Sequence, residues 1–256
     1  SLLLASCGQE GDCVIHTKGT PVSRRHSGLT IELMQKCGAA LEITEEKTII
    51  SPWTSNPPSE WDVPPDGSMV SFPILACLLT KQPIRIENPV DANDALGHEI
   101  LFEHLSNFGI SYQDSTLRCD GSSDEVDIDL RDANDLLPPL AAILAVSGGG
   151  RLRGAAHAKH KESNRIRSTK KLLEAFGLTA SIEDDGLSIE GGQALTMPDS
   201  LVDTYGDHRI QMTAVLLATQ TGAMVEGPRL HRIADPEFLN RLSAMPTEVL
   251  VKGIQR

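Results

Sequence analysis

LTIELMQKCGAALEITEEKTIIS (residues 29–51), ILFEHLSNFGISYQDSTLRCDG (100–121) and TKKLLEAFGLTASIEDDGLSIEGG (169–192) are three versions of one pattern. In each, an apolar-periodic helix stops at a glycine (Gly38, Gly109, Gly177). A short strand, an acidic turn and a second strand follow. Glycine just past a helix supplies the left-handed cap, and the Asp or Glu cluster supplies the hairpin turn. The glycines recur after 71 and 68 residues. That period is too long for the common solenoids and suits a domain built from repeated α/β units. Each repeat also contains a second, more apolar helix, at 68–80, 136–146 and 210–219. These have almost no polar face, which predicts burial on every side. The unit therefore reads strand, buried helix, strand, amphipathic helix, strand, strand. The fold class is α/β (α+β) with repeated βαβαββ units.

A length of 256 residues fits one large domain or two modest ones. The stretch PWTSNPPSEWDVPPDG (52–67) holds five of the 15 prolines and interrupts the repeat. It marks a boundary between a partial unit, residues 1–62, and a fuller domain, residues 63–256. With 40% apolar and 23% charged residues, the chain is globular in type, and no apolar run approaches the ~20 residues of a membrane span. A formal charge of −12 argues against nucleic-acid and membrane-surface partners, which are polyanions. Aromatics at 4% leave little for base stacking. The five cysteines form no CxxC pair and read as reduced thiols. The opening SLLLASCGQEGD has no basic segment and soon turns acidic, unlike a signal peptide. The expected location is cytoplasmic.

Three constellations carry possible chemistry. Eight of the 23 Lys and Arg residues lie between 151 and 171, with His157 and His160 among them. Such a run by itself reads as a solvated helix face. At 100° per residue, however, Glu162 and Arg165 share the stripe of Ile166, Leu173 and Phe176, while Arg167, Lys170, Lys171 and Glu174 lie opposite. The first pair should face a cleft. Next, Asp207, His208 and Arg209 directly precede the apolar run from Ile210. Asp207 suits a helix cap, and cations in a first turn work against the helix dipole unless an anion binds there. The plainer reading has Asp207 capping and Arg209 paired with a neighbouring carboxylate. Third, Asp135 precedes LLPPLAAILAV; it is either a simple cap or, if the helix starts converge, a second carboxylate in an anion-binding cleft. Asp66, placed ahead of Gly67 and Ser68, reads as structural. There is no P-loop, GxGxxG, GxSxG or HExxH. Gly148, Gly149 and Gly150 read as a turn. His157 and His160 lack ligand partners at metal spacing.

KHKESNRIRSTKKLLEAFG (159–177), YGDHRIQM (205–212) and NDLLPPLA (134–141) resemble, in order and spacing, the hallmarks of the 3-phosphoshikimate 1-carboxyvinyltransferase (EPSP synthase) family. The resemblance runs from VSRRH (22–26) to PEFLNRL (236–242). It implies an inside-out prism, with buried helices and outer sheets. It also implies transfer of the enolpyruvyl group of phosphoenolpyruvate to the 5-hydroxyl of shikimate 3-phosphate, through addition and elimination. By that resemblance Asp135 would serve as general base and Glu162 would handle the proton at the methylene carbon. Arg165, Arg209 and His208 would bind phosphoenolpyruvate. Ser23, Asp135, His157 and Lys161 would face shikimate 3-phosphate. No metal or organic cofactor is implied.

The chain departs from the family at Arg25 and His26, where Pro-Tyr is common, and at Ile233, where a lysine is common. Only the last unit of one family domain and most of the other have counterparts here. The expectation is a fragment, inactive or nearly so without the N-terminal half of the enzyme. Two other readings remain: an enolpyruvyl transferase of the UDP-N-acetylglucosamine type, and a non-catalytic anion-binding module of the same fold.

Overall fold

The computed structural model describes residues 1–19, 21–89, 91 and 98–244. The chain divides into two units, Ser1–Pro65 and Asp66–Arg256, and the division falls inside the proline-rich stretch.

The first unit contains α1 (Leu2–Ala5), β1 (Cys13–His16), α2 (Arg24–Lys36), β2 (Leu41–Ile43) and β3 (Lys47–Ile50). Its strands form an antiparallel sheet in the order β1-β3-β2, with Ile50 opposite both Cys13 and Leu41. Met34, Ala39 and Ile50 are its buried apolar residues; Leu3, Cys13, Ile15, Leu41 and Trp53 pack around them. The Trp53 indole donates to Ser6 Oγ at 3.0 Å.

The second unit runs α3 (Ser71–Thr80), β4 (Ile84–Arg85), α4 (Glu99–Glu103), β5 (Ile110–Gln113), β6 (Thr116–Cys119), β7 (Val126–Asp129), α5 (Leu137–Val146), β8 (Gly150–Arg153), α6 (Arg165–Ala175), β9 (Ala180–Ile182), β10 (Leu187–Ile189), α7 (His208–Thr221) and α8 (Phe238–Ser243). From β7 to β10 this is one full βαβαββ unit. Its sheet has the order β7-β8-β10-β9, parallel between β7 and β8 and antiparallel elsewhere. The unit before it gives the antiparallel sheet β4-β6-β5. In the unit after it the described residues show a parallel bridge between Val202 and Val225 on either side of α7.

The three apolar helices α3, α5 and α7 pack against one another. Every residue of α5 from Leu137 to Ala145 is buried. The strands alternate instead, as in β8, where Gly150 and Leu152 are buried and Arg151 and Arg153 exposed. One sheet face thus covers the helices and the other meets solvent, the inside-out arrangement expected. Among the described residues no helix is long and apolar enough to cross a membrane.

Local chemistry shifts two helix boundaries. The helix expected over 68–80 begins as a 3₁₀ turn, Gly67–Val70, because Pro73 has no N–H to donate back to Met69 and its ring crowds that carbonyl. The helix expected in the second repeat is short: α4 ends at Glu103, and a 3₁₀ turn, Ser106–Phe108, completes it. Ser106 and Asn107 are poor helix formers. Gly109 still closes the element with φ 77°.

Candidate active site

The N-terminal ends of the buried elements meet. A hydrogen bond joins residues 30 apart at Arg165 and Asp135, another joins residues 42 apart at Arg165 and Asp207, and a third spans 141 residues between Arg209 and Ser68.

Arg165 is the centre of the cluster. Asn164 caps α6 by accepting from the Arg167 N–H, so Arg165 is the first helical residue and points into the interior, its side chain 1% exposed. Its Nε donates to Asp207 Oδ2 at 2.8 Å. One terminal nitrogen donates to Asp135 Oδ1; the other donates to Glu162 Oε2 at 2.6 Å and to Asp207 Oδ1 at 3.4 Å. Burial works against its charge, but Asp207, then Asp135 and Glu162, outweigh that and raise its pKa. Ile166, Leu173 and Phe176 are buried with it and Arg167, Lys171 and Glu174 are exposed, as the 100° spacing predicts. Glu162 lies just before the helix rather than on it, and its side chain is 44% exposed.

Asp207 caps α7, accepting from the Arg209 N–H at 2.9 Å. It also accepts from Ser163 Oγ at 3.0 Å, and its side chain is fully buried. Burial pushes the carboxyl up, but Arg165, the Arg209 N–H and Ser163 together hold it below the usual carboxylate range. Its second role, as a clamp on Arg165, was hidden in the sequence behind the cap. Tyr205 and Gly206, at φ 53° and 68°, turn the chain through left-handed backbone into this position, and the Tyr205 N–H is held by Asp203 Oδ1 at 2.6 Å.

Asp135 is not a cap. It sits in the 3₁₀ turn Asn134–Leu136, with no side-chain bond to a helix N–H. Pro138 and Pro139, early in α5, have no N–H for a cap to satisfy. Its carboxylate takes Arg165 and lies 3.4 Å from Lys161 Nζ. Burial favours the neutral acid, but Arg209, Arg165 and Lys161 hold its pKa well below the ordinary value.

Arg209 is buried in the first turn of α7. One terminal nitrogen donates to Ser68 Oγ at 2.8 Å and lies 3.9 Å from Asp66 Oδ2; Nη1 is buried with no hydrogen-bond partner. Asp66 also caps the 3₁₀ turn through the Ser68 N–H, so it is both structural and a counter-ion. His208 Nδ1 is buried and unbonded, 3.9 Å from Glu162 Oε1. Burial and then Arg209 lower its pKa, which keeps it neutral at pH 7. His157 Nε2 accepts from the Asn134 amide at 2.6 Å; burial and Lys161 lower its pKa also.

Thus Asp135, Lys161, Glu162, Arg165, His208 and Arg209 come together, and His157 is tied in beside Asp135. Ser23 belongs to the other unit, where it precedes α2 with φ 53°. Sequence reasoning missed Ser68, Ser163 and Asn134, whose side chains orient the charged groups. Their signal is adjacency: Ser163 follows Glu162, Asn134 precedes Asp135, and Ser68 follows a capping Asp. Among the described residues no group of three or more His, Cys, Asp or Glu side chains is set to hold a metal ion.

The sequence profile of EPSP synthase (3-phosphoshikimate 1-carboxyvinyltransferase) matches residues 1–242. The chain belongs to the EPSP synthase family. It is similar to the 3-phosphoshikimate 1-carboxyvinyltransferase of Methanocella arvoryzae, with 28% identity over 98% of this chain and 60% of that protein. It is similar also to that of Korarchaeum cryptofilum, with 30% identity over 93% of this chain and 56% of the relative. Among solved structures, an EPSP synthase from Acinetobacter baumannii superposes with a TM-score of 0.70 at 20% identity, covering 94% of this chain and 58% of that one. The enolpyruvyl transferase NikO from Streptomyces tendae superposes at 0.68 with 18% identity, covering 96% and 58%. These two likenesses show the enolpyruvyl transferase fold. The chain spans about 60% of the length of the EPSP synthases it matches.

Proposed function

We propose that this chain supplies the acid–base groups and the phosphoenolpyruvate-binding side of an EPSP synthase. That enzyme transfers the enolpyruvyl group of phosphoenolpyruvate to the 5-hydroxyl of shikimate 3-phosphate, a cytoplasmic step toward chorismate and the aromatic amino acids. The observation that carries the reading is the meeting of Asp135 and Glu162 on one buried arginine, next to a second whose Nη1 has no partner. Two carboxylates and two arginines in one cluster suit a substrate with carboxylate and phosphate groups and a reaction that moves two protons.

In the addition step the 5-hydroxyl oxygen bonds to C2 of phosphoenolpyruvate. Its proton passes to Asp135, and C3 takes a proton from Glu162, giving the tetrahedral ketal. In the elimination the bond from C2 to the phosphate ester oxygen breaks, and the proton held on Asp135 passes to that oxygen of the departing phosphate. The Glu162 carboxylate takes a proton back from C3, which returns both carboxyl groups to their starting forms. Arg165, Arg209 and His208 hold the phosphoenolpyruvate anion. Asp135, His157 and Lys161 hold shikimate 3-phosphate. No cofactor takes part. The cluster by itself is poor in positive charge: among the described residues Asp66, Asp135, Glu162 and Asp207 face only Lys161, Arg165 and Arg209. Further cations are therefore required for two polyanionic ligands, and the N-terminal half of the family fold is their source.

Phosphate release from phosphoenolpyruvate plus shikimate 3-phosphate tests this, with the chain alone and with an N-terminal half supplied in trans. Turnover is expected only in the mixture, and either Asp135→Asn or Glu162→Gln should lower it by at least 100-fold. Turnover by the chain alone would show that the site is complete within these residues. Silence in both would favour a non-catalytic module.

A further inference from the structure

Arg165, the residue expected to bind an incoming anion, is already occupied. It makes hydrogen bonds to Asp207, Asp135 and Glu162 at once and is almost wholly buried. Four carboxylates face three cations in the cluster, so it carries one net negative charge while His208 is neutral. An anion cannot simply be added to such a site; a carboxylate must give way.

The three partners of Arg165 are not equally held. Asp207 is fully buried and keeps Ser163 Oγ and the Arg209 N–H if Arg165 turns to a ligand. Asp135 keeps Lys161 at 3.4 Å and the charge of Arg209. Glu162 has Arg165 as its hydrogen-bonded cation, and among the described residues its one further oppositely chargeable partner within 4.0 Å is His208, at 3.9 Å and unbonded. It is also the most exposed of the three. Arg209 Nη1, also buried, has no hydrogen-bond partner, which leaves an unused donor for an arriving anion.

We propose that a phosphate- or carboxylate-bearing anion seats first on Arg209 and then displaces the Glu162 carboxylate from Arg165, one proton entering with it to reside on Glu162. Binding is then a ligand exchange, and it prepares the acid that the addition step consumes. This rests on the functional reading above only for the final use of the proton; the exchange itself belongs to the unliganded cluster.

The test uses the 256-residue chain with phosphoenolpyruvate as probe. Calorimetry at pH 7 in buffers of different ionisation enthalpy counts protons taken up. Wild type is expected to take up about one more proton per anion than Glu162→Gln, which cancels the ligand's own titration. Glu162→Gln should bind phosphoenolpyruvate roughly tenfold tighter than wild type, because it no longer competes as an anion for Arg165. Glu174→Gln, which removes the same charge from the exposed side of α6, should leave affinity within about twofold. Equal or weaker binding by Glu162→Gln overturns the exchange. So does uptake that persists in Glu162→Gln and disappears in His208→Gln, which would put the proton on the imidazole. No binding by either form also overturns it; turnover in the trans-complemented assay would then leave the functional proposal standing on its own.

Discussion

Arg165 and Asp207 form a buried ion pair whose parts depend on each other. Replacing Arg165 with Met keeps most of the volume and leaves a fully buried carboxylate without its main cation, a change that costs about 3–5 kcal/mol. The pH dependence fixes the cause. In wild type the folded-state pKa values of Asp207 and Asp135 are depressed. Their stabilisation is therefore present above the unfolded carboxylate value near ~3.9, and is lost as pH falls through the lower folded values. In Arg165→Met burial dominates, and the Asp207 carboxyl moves up instead. Its penalty then grows as pH rises from about 4 toward 7. Urea unfolding of both proteins should show a gap that widens over that range; a gap independent of pH would mean lost packing rather than lost charge. The inward face of Arg165 was legible from helical spacing, since the apolar residues on its stripe have one orientation. Its partners were not, because they come from 30 and 42 residues away. Asp135 was open to a wrong reading for a local reason: acidic residues before helices are commonly caps, but Pro138 and Pro139 remove the donors a cap would serve.

At the scale of elements, the apolar helices announced themselves because α3, α5 and α7 have no face that water could cover. The glycine run after α5 did not reveal how closely it is packed. Gly150 has φ 138°, and a Cβ there would lie 2.0 Å from the Val126 carbonyl oxygen. Gly148 meets the Asp124 carbonyl at 2.1 Å in the same way. The run therefore serves the close approach of two backbones where β8 starts beside β7, and this is turn and sheet geometry rather than a phosphate cradle. Gly150→Ala must either shift β8 or break the pairing of Gly150 with Val126. A loss of about 2–4 kcal/mol is expected from strain and overpacking together, read as a lower urea midpoint. Because β8 leads into the segment bearing His157, Lys161 and Glu162, anion affinity should fall as well. A variant with wild-type midpoint would show that the strands separate there at little cost.

At the scale of the molecule, the two units differ sharply in what holds them. Residues 66–256 contain one continuous apolar cluster built on α3, α5 and α7. Residues 1–65 bury Met34, Ala39 and Ile50 as their apolar core among the described residues, while Leu2, Leu4, Val14 and Ile43 are exposed. Five prolines within 16 residues, which suit neither helix nor central strand, were legible, and the division into two units falls within that stretch. The imbalance was not, since the same helix–strand–strand pattern occurs in both units and only tertiary packing decides how much of it is covered. A unit with so small a core opens at low free energy. Hydrogen exchange followed by mass spectrometry should therefore show amides of β1, β2 and β3 exchanging well before those of α5 and α7. A fragment of residues 66–256 should keep the urea midpoint of the slower phase. Equal protection across both units, or a fragment that fails to fold, would mean that the small unit is part of one cooperative structure. Its exposed leucines and valine would then have to be covered in solution by contacts that its own 65 residues do not provide.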